Sequence, residues 1–381
     1  MDLTRTLHVL AASAFLLSSA DLCHSEEEFS GHIDLGRGLA LVPIPTKVSK
    51  NQEYVLNKSG KYHLTSTITT AVTPALYIII FLIGLPTNGM AVYNLITKVQ
   101  RLPSTIFLIN LATADLLLIL VLPFKISYHL LGNDWLFGEG LCRAMTAFFY
   151  GNMYCSILLL TFISIDRYFA LVRPFFSRRF RDNGFAVCCC SLIWLIVTAS
   201  MIPFLTQQQT YLIQDLNVTT CHDALPRELQ SGYFFYYFVC LVVFEFLIPC
   251  FVTLFCYVSI IKKLMINNGK YAKAIRAMVL VLIVYLVCFT PSNIILLIHH
   301  SEHRLWDSSE LYLFYMLCLV LSTFNNCIDP FIYYYISDEF RDKVRSIRLL
   351  SKVKKGAGSK KTLIHTDSSS APKAMASTKG V

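Results

Sequence analysis

Long apolar runs alternate with short polar or basic links along most of the chain. Seven runs stand out: about Ala71 to Leu95, Ser104 to Tyr128, Leu141 to Val172, Gly184 to Gln207, Tyr233 to Ile261, Ala274 to His299 and Glu310 to Ile336. At about 1.5 Å of rise per residue, each helix so formed crosses the roughly 30 Å of hydrocarbon in a bilayer. The strict apolar/polar alternation of membrane β-strands is missing. A last, shorter pattern puts Phe340, Val344 and Ile347 at helical spacing, with Arg341, Lys343, Arg345 and Arg348 between them. The fold expected is therefore an all-α membrane protein, a seven-transmembrane helix bundle with a short amphipathic eighth helix on the inner leaflet.

Composition supports a membrane solvent. Of 381 residues, 55% are hydrophobic and 15% charged. Soluble domains carry roughly 25% charged residues, so a soluble cytosolic enzyme is excluded. Near the start, Arg5 precedes the apolar run Leu7 to Leu17, too short to span and followed by small residues, which reads as a secretory signal peptide. Cleavage fits after Ala20 or after Ser25. The second also removes Cys23, an odd thiol in an oxidising compartment, and is preferred. The expected organisation is a signal peptide (1–25), an extracellular segment (26–70), the bundle (71–336), the inner-leaflet helix (337–350) and a disordered cytoplasmic tail (351–381).

Basic residues decide the orientation. Lys98 and Arg101, Arg167 to Arg181 and Lys262 to Arg276 cluster on alternate links, and with eleven in the tail that side holds 23 of the 33 Lys and Arg. That side is cytoplasmic, so the N-terminus lies outside the plasma membrane. The net charge of +9 thus sits at the inner leaflet and argues for lipid headgroups, not nucleic acid. The sequons at Asn57 and Asn217 fall on the outer side, as glycosylation requires. Cys142, opening the third span, and Cys221, in the second outer loop, are placed for a disulfide that ties the loop over the bundle.

Ionisable groups at bilayer depth cost several kcal/mol and mark function. Asp115 in span two, Asp166-Arg167-Tyr168 closing span three, Glu245 in span five and Asp329 in span seven qualify. Ser156, Asn325 and Asn326 add neutral oxygens near Asp115 and Asp329, a donor set suited to a sodium ion. The alternative for the same two carboxyls is a protonated pair hydrogen-bonded between helices. Glu245 reads as a side chain bonded across helices. No other cofactor is expected.

Gly84-Leu-Pro-Thr-Asn88, Leu111-Ala-x-x-Asp115, Asp166-Arg167-Tyr168, Trp194, Pro249, Cys288-Phe-Thr-Pro291 and Asp329-Pro330-x-x-Tyr333 occur in order, one set per span. Together they resemble a rhodopsin-like G-protein-coupled receptor. The resemblance implies that Arg167 engages the G protein with Asp166 as its resting partner, that Tyr333 is a switch, and that Phe289 is the aromatic hinge beside Pro291. Phe289 stands where most of that superfamily has Trp, and Asp329 where most has Asn. Those departures, with Tyr128-His129, Phe149 to Cys155, Cys221 to Pro226, Pro291-Ser-Asn293 and Asp329 to Tyr335, resemble the protease-activated receptors. Arg101 to Thr105, His222 to Pro226 and Glu339 to Arg345 look most like the fourth member of that family.

The family implies activation by serine-protease cleavage of the outer segment, which unmasks a tethered ligand. Of the basic residues there, only Arg37 precedes a compact apolar peptide, Gly38-Leu39-Ala40-Leu41-Val42-Pro43. A trypsin-like pocket with a carboxylate at its base binds an arginine. Gly36 before it leaves thrombin, trypsin and cathepsin-like enzymes all open. Gly38 lies 33 residues before Ala71, so a coil reaches about 30 Å, enough to fold back into the outer mouth. Cleavage turns the Gly38 amide into an amine with a pKa of about 7.7 to 8.0, largely cationic in plasma. Asp223 is the acid expected to receive it, with Tyr128, His129, His222, Tyr312 and Tyr315 as the pocket wall. By the same resemblance, Gq-type and Rho-activating G proteins, calcium release and arrestin are the expected outputs and partners.

Two other classes fit less well. A transporter predicts inverted repeats and broken helix pairs, and an intramembrane enzyme predicts a catalytic dyad or metal cluster; the sequence offers neither.

Overall fold

The computed structural model describes residues 40–43, 54–56, 58–97, 102–173, 182–226, 233–265, 272–300 and 308–336. Arg37, Gly38, Leu39, Asn57, the signal peptide, the inner-leaflet helix and the tail lie outside them. Among the described residues, seven helices are long and apolar enough to cross a membrane. They are Thr73–Thr97, Pro103–Leu130, Gly138–Leu171, Asn183–Ser200, Phe235–Leu241 continuing into Ile248–Met265, Ala272–His300 and Ser308–Ile336. Each lies within a few residues of its expected bounds. Span four is shorter than expected, because Ser200 ends it and a short helix, Ile202–Thr206, restarts at Pro203. Proline suits a first helical turn, where its missing N–H costs nothing.

Span three is the hub. It packs on spans two, four and five, and its side chains from Cys142 to Ser164 are mostly buried. Outer positions such as Leu82, Leu195, Phe244 and Phe251 are exposed, as a surface solvated by lipid tails requires. Span five contains a π-helical segment, Val242–Leu247, whose extra residue per turn re-aims Glu245 inward.

Helix begins earlier than expected. Lys58–Leu64 and a π-turn, Ile68–Val72, precede span one, and Lys61 pairs with Asp215 at 2.7 Å. Part of the outer segment enters a sheet. Strands β1 (Ala40–Pro43) and β2 (Tyr54–Val55) join the outer-loop strands β3 (Thr210–Ile213), β4 (Val218–Cys221) and β5 (Leu225–Pro226) in the order β4-β3-β2-β1-β5. The physical reason is the unpaired strand edges of the loop, which attract any extended segment within reach. β1 runs parallel to β5, with Ala40 opposite Leu225 and Leu41 opposite Pro226.

Candidate functional site

The outer loop is fastened at three points above the bundle. The Cys142–Cys221 disulfide ties β4 to the start of span three, with Cα atoms 5.8 Å apart. Glu139, one turn before Cys142, accepts hydrogen bonds from the Gln209 and Thr210 amides at 2.8 Å each. Asp134 accepts from the Thr219 amide at 2.8 Å, while the Trp135 amide donates to the Thr219 carbonyl at 2.7 Å. Directly after the disulfide, His222 adopts a left-handed backbone with φ 65°, uncommon for a residue with a side chain. Its N–H donates to the Gln209 carbonyl, which holds that turn.

Beyond this turn, Asp223 meets the bundle. Tyr128, near the outer end of span two, donates its hydroxyl proton to Asp223 at 2.7 Å. His222 sits beside it, Nδ1 against Gln209 Oε1 at 2.6 Å and Nε2 against the Tyr150 hydroxyl at 3.2 Å. Tyr150 also hydrogen-bonds Tyr315 of span seven. Burial raises the Asp223 carboxyl above the ordinary aspartate value, and the charge of Lys125 and the Tyr128 hydrogen bond only partly offset that. His222, Asp223 and Tyr315 line one small outer cavity, with Lys125, Thr146, Phe149 and Tyr150 among its other walls. Tyr128 and Tyr312 stand just behind it, both within electrostatic reach of Asp223.

His129 does not join that wall. It is fully buried, with Nδ1 against Asn133 Oδ1 at 2.7 Å and its ring stacked on Tyr77 of span one. One step along a helix turns a side chain by about 100°, so while Tyr128 turns to Asp223, His129 turns to Tyr77 and Asn133. Lys125 and Tyr150 belong to the cavity without having been singled out for it. For Lys125 the signal was present, a charged residue inside the apolar run of span two.

A second polar cluster lies at mid-membrane. Asp115 and Asp329 are fully buried and face one another, with Ser156 beside them. Asn152 donates to Asp115 at 3.3 Å and Asn325 to Asp329 at 2.6 Å. Asp115 Oδ2, Asp329 Oδ1, Ser156 Oγ and Asn325 Oδ1 are buried without a hydrogen bond among the described residues. Carboxylate, hydroxyl and amide oxygens are the donor types a hard cation takes. Asn326, also expected near the ion, accepts from Asn88 at its backbone carbonyl, at 2.7 Å.

On the inner face, Arg167 lies 3.8 Å from Asp166. Phe289 is buried against Tyr285, and its carbonyl accepts from Ser292 and Asn293 in the turn that holds Pro291. Trp194, the motif residue of span four, donates to Asn110 of span two at 2.9 Å. Tyr333 and Pro330 lie in the last turns of span seven. Asn217 is exposed at the tip of the β3–β4 turn, open to a glycan. Glu245 is buried beside Ser200 of span four.

The described residues thus hold seven spans with a polar cavity at one end and a polar cluster within. Residues 87–333 match the family model for the 7 transmembrane receptor (rhodopsin family). Over 354 residues the chain is 40% identical to proteinase-activated receptor 2 of Mus musculus, covering 91% of this chain and 88% of the relative. It is 41% identical to proteinase-activated receptor 3 of Rattus norvegicus (82% and 86% covered) and 42% identical to proteinase-activated receptor 4 of the same species (77% and 74%). The chain belongs to the rhodopsin family of seven-transmembrane receptors and, within it, to the proteinase-activated receptors. It is a multi-pass signalling receptor of the membrane, not an enzyme. Overall identity does not single out the fourth member among these relatives.

Proposed function

We infer that a thrombin-, trypsin- or cathepsin-like serine protease switches this receptor on by cutting after Arg37. The cut unmasks a tethered ligand beginning Gly38-Leu39-Ala40-Leu41-Val42-Pro43, which binds the outer mouth and drives G-protein signalling and calcium release. One observation carries the reading. β1, the body of that peptide, lies parallel to β5, with Ala40 opposite Leu225. A ligand that keeps this register has Gly38 level with Asp223. The new amine then meets a carboxylate already oriented by Tyr128. The names of the relatives support protease activation. Tethering supplies an effective concentration near millimolar, so a weak peptide suffices.

Inside the bundle, sodium held by Asp115, Ser156, Asn325 and Asp329 favours the resting state. Arg167, eleven residues after Ser156 and about three turns inward on the same helix, carries the change to Gq-type or Rho-activating G proteins, with arrestin as a later partner. N-terminal sequencing of the protease-treated receptor, paired with a calcium assay, tests the reading. Arg37→Ala abolishes the protease response and leaves the response to added Gly-Leu-Ala-Leu-Val-Pro peptide intact. A mutant that still answers protease normally puts the cut elsewhere, with Lys47 the next basic residue to test.

A further inference from the structure

Most polar groups of the outer cavity already have partners: Tyr128 with Asp223, Tyr150 with His222 and Tyr315, His222 with Gln209. Two do not. Lys125 is 8% exposed, lines the cavity, and makes no hydrogen bond or ion pair among the described residues; its ammonium rests over the Phe149 ring, 5.2 Å from the centroid. Thr146, one turn before Phe149 on span three, is 3% exposed with its hydroxyl unbonded. Threonine in a helix ordinarily satisfies itself on the carbonyl four residues back. On facing helices, a buried hydroxyl left unbonded and a lysine ammonium at the cavity wall with only a ring as partner leave two donors for an arriving acceptor.

We propose that Lys125 and Thr146 form a second anchor of the ligand site, which donates to the backbone carbonyl oxygen of the ligand's first residue while Asp223 receives its amine. This rests on the tethered-ligand reading. Gly38 to Pro43 carries no acidic or amide side chain, so the acceptors it offers are its backbone carbonyls. An amine and the carbonyl of the same residue sit close together, as do the groups that await them: Lys125 is within electrostatic reach of Asp223. The cavity measures about 10 Å³, about the size of one water, so it must widen for any peptide. Glycine, with no side chain, asks for the least widening, which matches its place at position 38.

The test uses the full-length receptor in membranes and two amidated peptides, Gly-Leu-Ala-Leu-Val-Pro and an analogue whose first peptide bond is a trans-alkene. The analogue keeps the amine and the shape but loses the first carbonyl oxygen together with the Leu N–H, so its response to Lys125→Met, which acts on the oxygen, separates the two losses. In competition binding, Lys125→Met weakens the parent peptide by about tenfold to a hundredfold, as expected for a hydrogen bond from a charged donor. The alkene peptide is weaker on the unmutated receptor by a similar factor and is indifferent to Lys125→Met. Thr146→Val repeats the pattern with a smaller factor. Equal affinity of the two peptides on the unmutated receptor overturns the proposal without any mutant. So does an equal loss for both peptides in Lys125→Met, or an undiminished parent peptide there while Asp223→Asn weakens it. If Asp223→Asn also leaves the parent unchanged and an N-acetylated peptide binds as well as the free amine, the tethered-ligand reading of this cavity fails instead.

Discussion

Asn88 donates its side-chain amide to the Asn326 carbonyl at 2.7 Å, and that carbonyl is the one Pro330 leaves without its helical donor four residues on. The same amide donates to Gly84 at 3.1 Å within span one. One asparagine therefore repairs a break in span seven and locks it to span one. Asn88→Leu is expected to lower stability by about 1 to 3 kcal/mol, the penalty for leaving a buried acceptor unpaired. Thermal unfolding of the purified receptor in detergent measures it. An unchanged midpoint means that another donor serves the Asn326 carbonyl.

Cys142 and Cys221 hold the loop that carries Asp223. Replacing either by Ser removes the same bond, so each single variant loses surface expression or agonist response. The double variant is little worse than the worse single. Additive losses in a surface-binding assay count against a shared role.

Agonist affinity should depend on pH through Asp223. Burial raises its carboxyl, so it takes up a proton at a higher pH than an ordinary aspartate at about 3.9. Binding of the cationic peptide is thus complete well above that raised value and is lost as the pH falls through it. Above about 8 the peptide amine is itself neutral, and affinity declines again. Asp223→Asn removes the acid limb of this profile in equilibrium binding. An acid limb that survives the substitution belongs to another group.

The proposed sodium site supplies the last test. If Asp115 and Asp329 share the ion, Asp115→Asn weakens sodium's inhibition of agonist binding while surface expression is largely kept. Linkage then requires agonist to weaken sodium binding by the same factor in the unmutated receptor. Unchanged sodium sensitivity at normal expression leaves only an interhelical hydrogen-bonded pair at this position.

The sequence by itself determined the seven spans and the residue types available for function, and its basic links set the orientation expected for them. Each of these is local: a window of about 20 apolar residues finds the bilayer whatever its neighbours do, and the lysines and arginines of a link act on that link alone. Asp115, Asp329, Cys142, Cys221 and Asp223 were legible in the same way, as residues costly or conspicuous where they stand. Tertiary structure decided who meets whom. Tyr128 reaches Asp223 across 95 residues and Asn88 reaches Asn326 across 238, and no local pattern encodes a partner at such distance. Helical phase turned His129 toward Tyr77 and Asn133 and left Lys125 in the cavity, a difference of angle that a hydrophobic run does not record. The strand at Ala40–Pro43 depended most on the fold. Four residues gain nothing from extending alone, and they form a strand because the outer loop supplies the edge with which they pair.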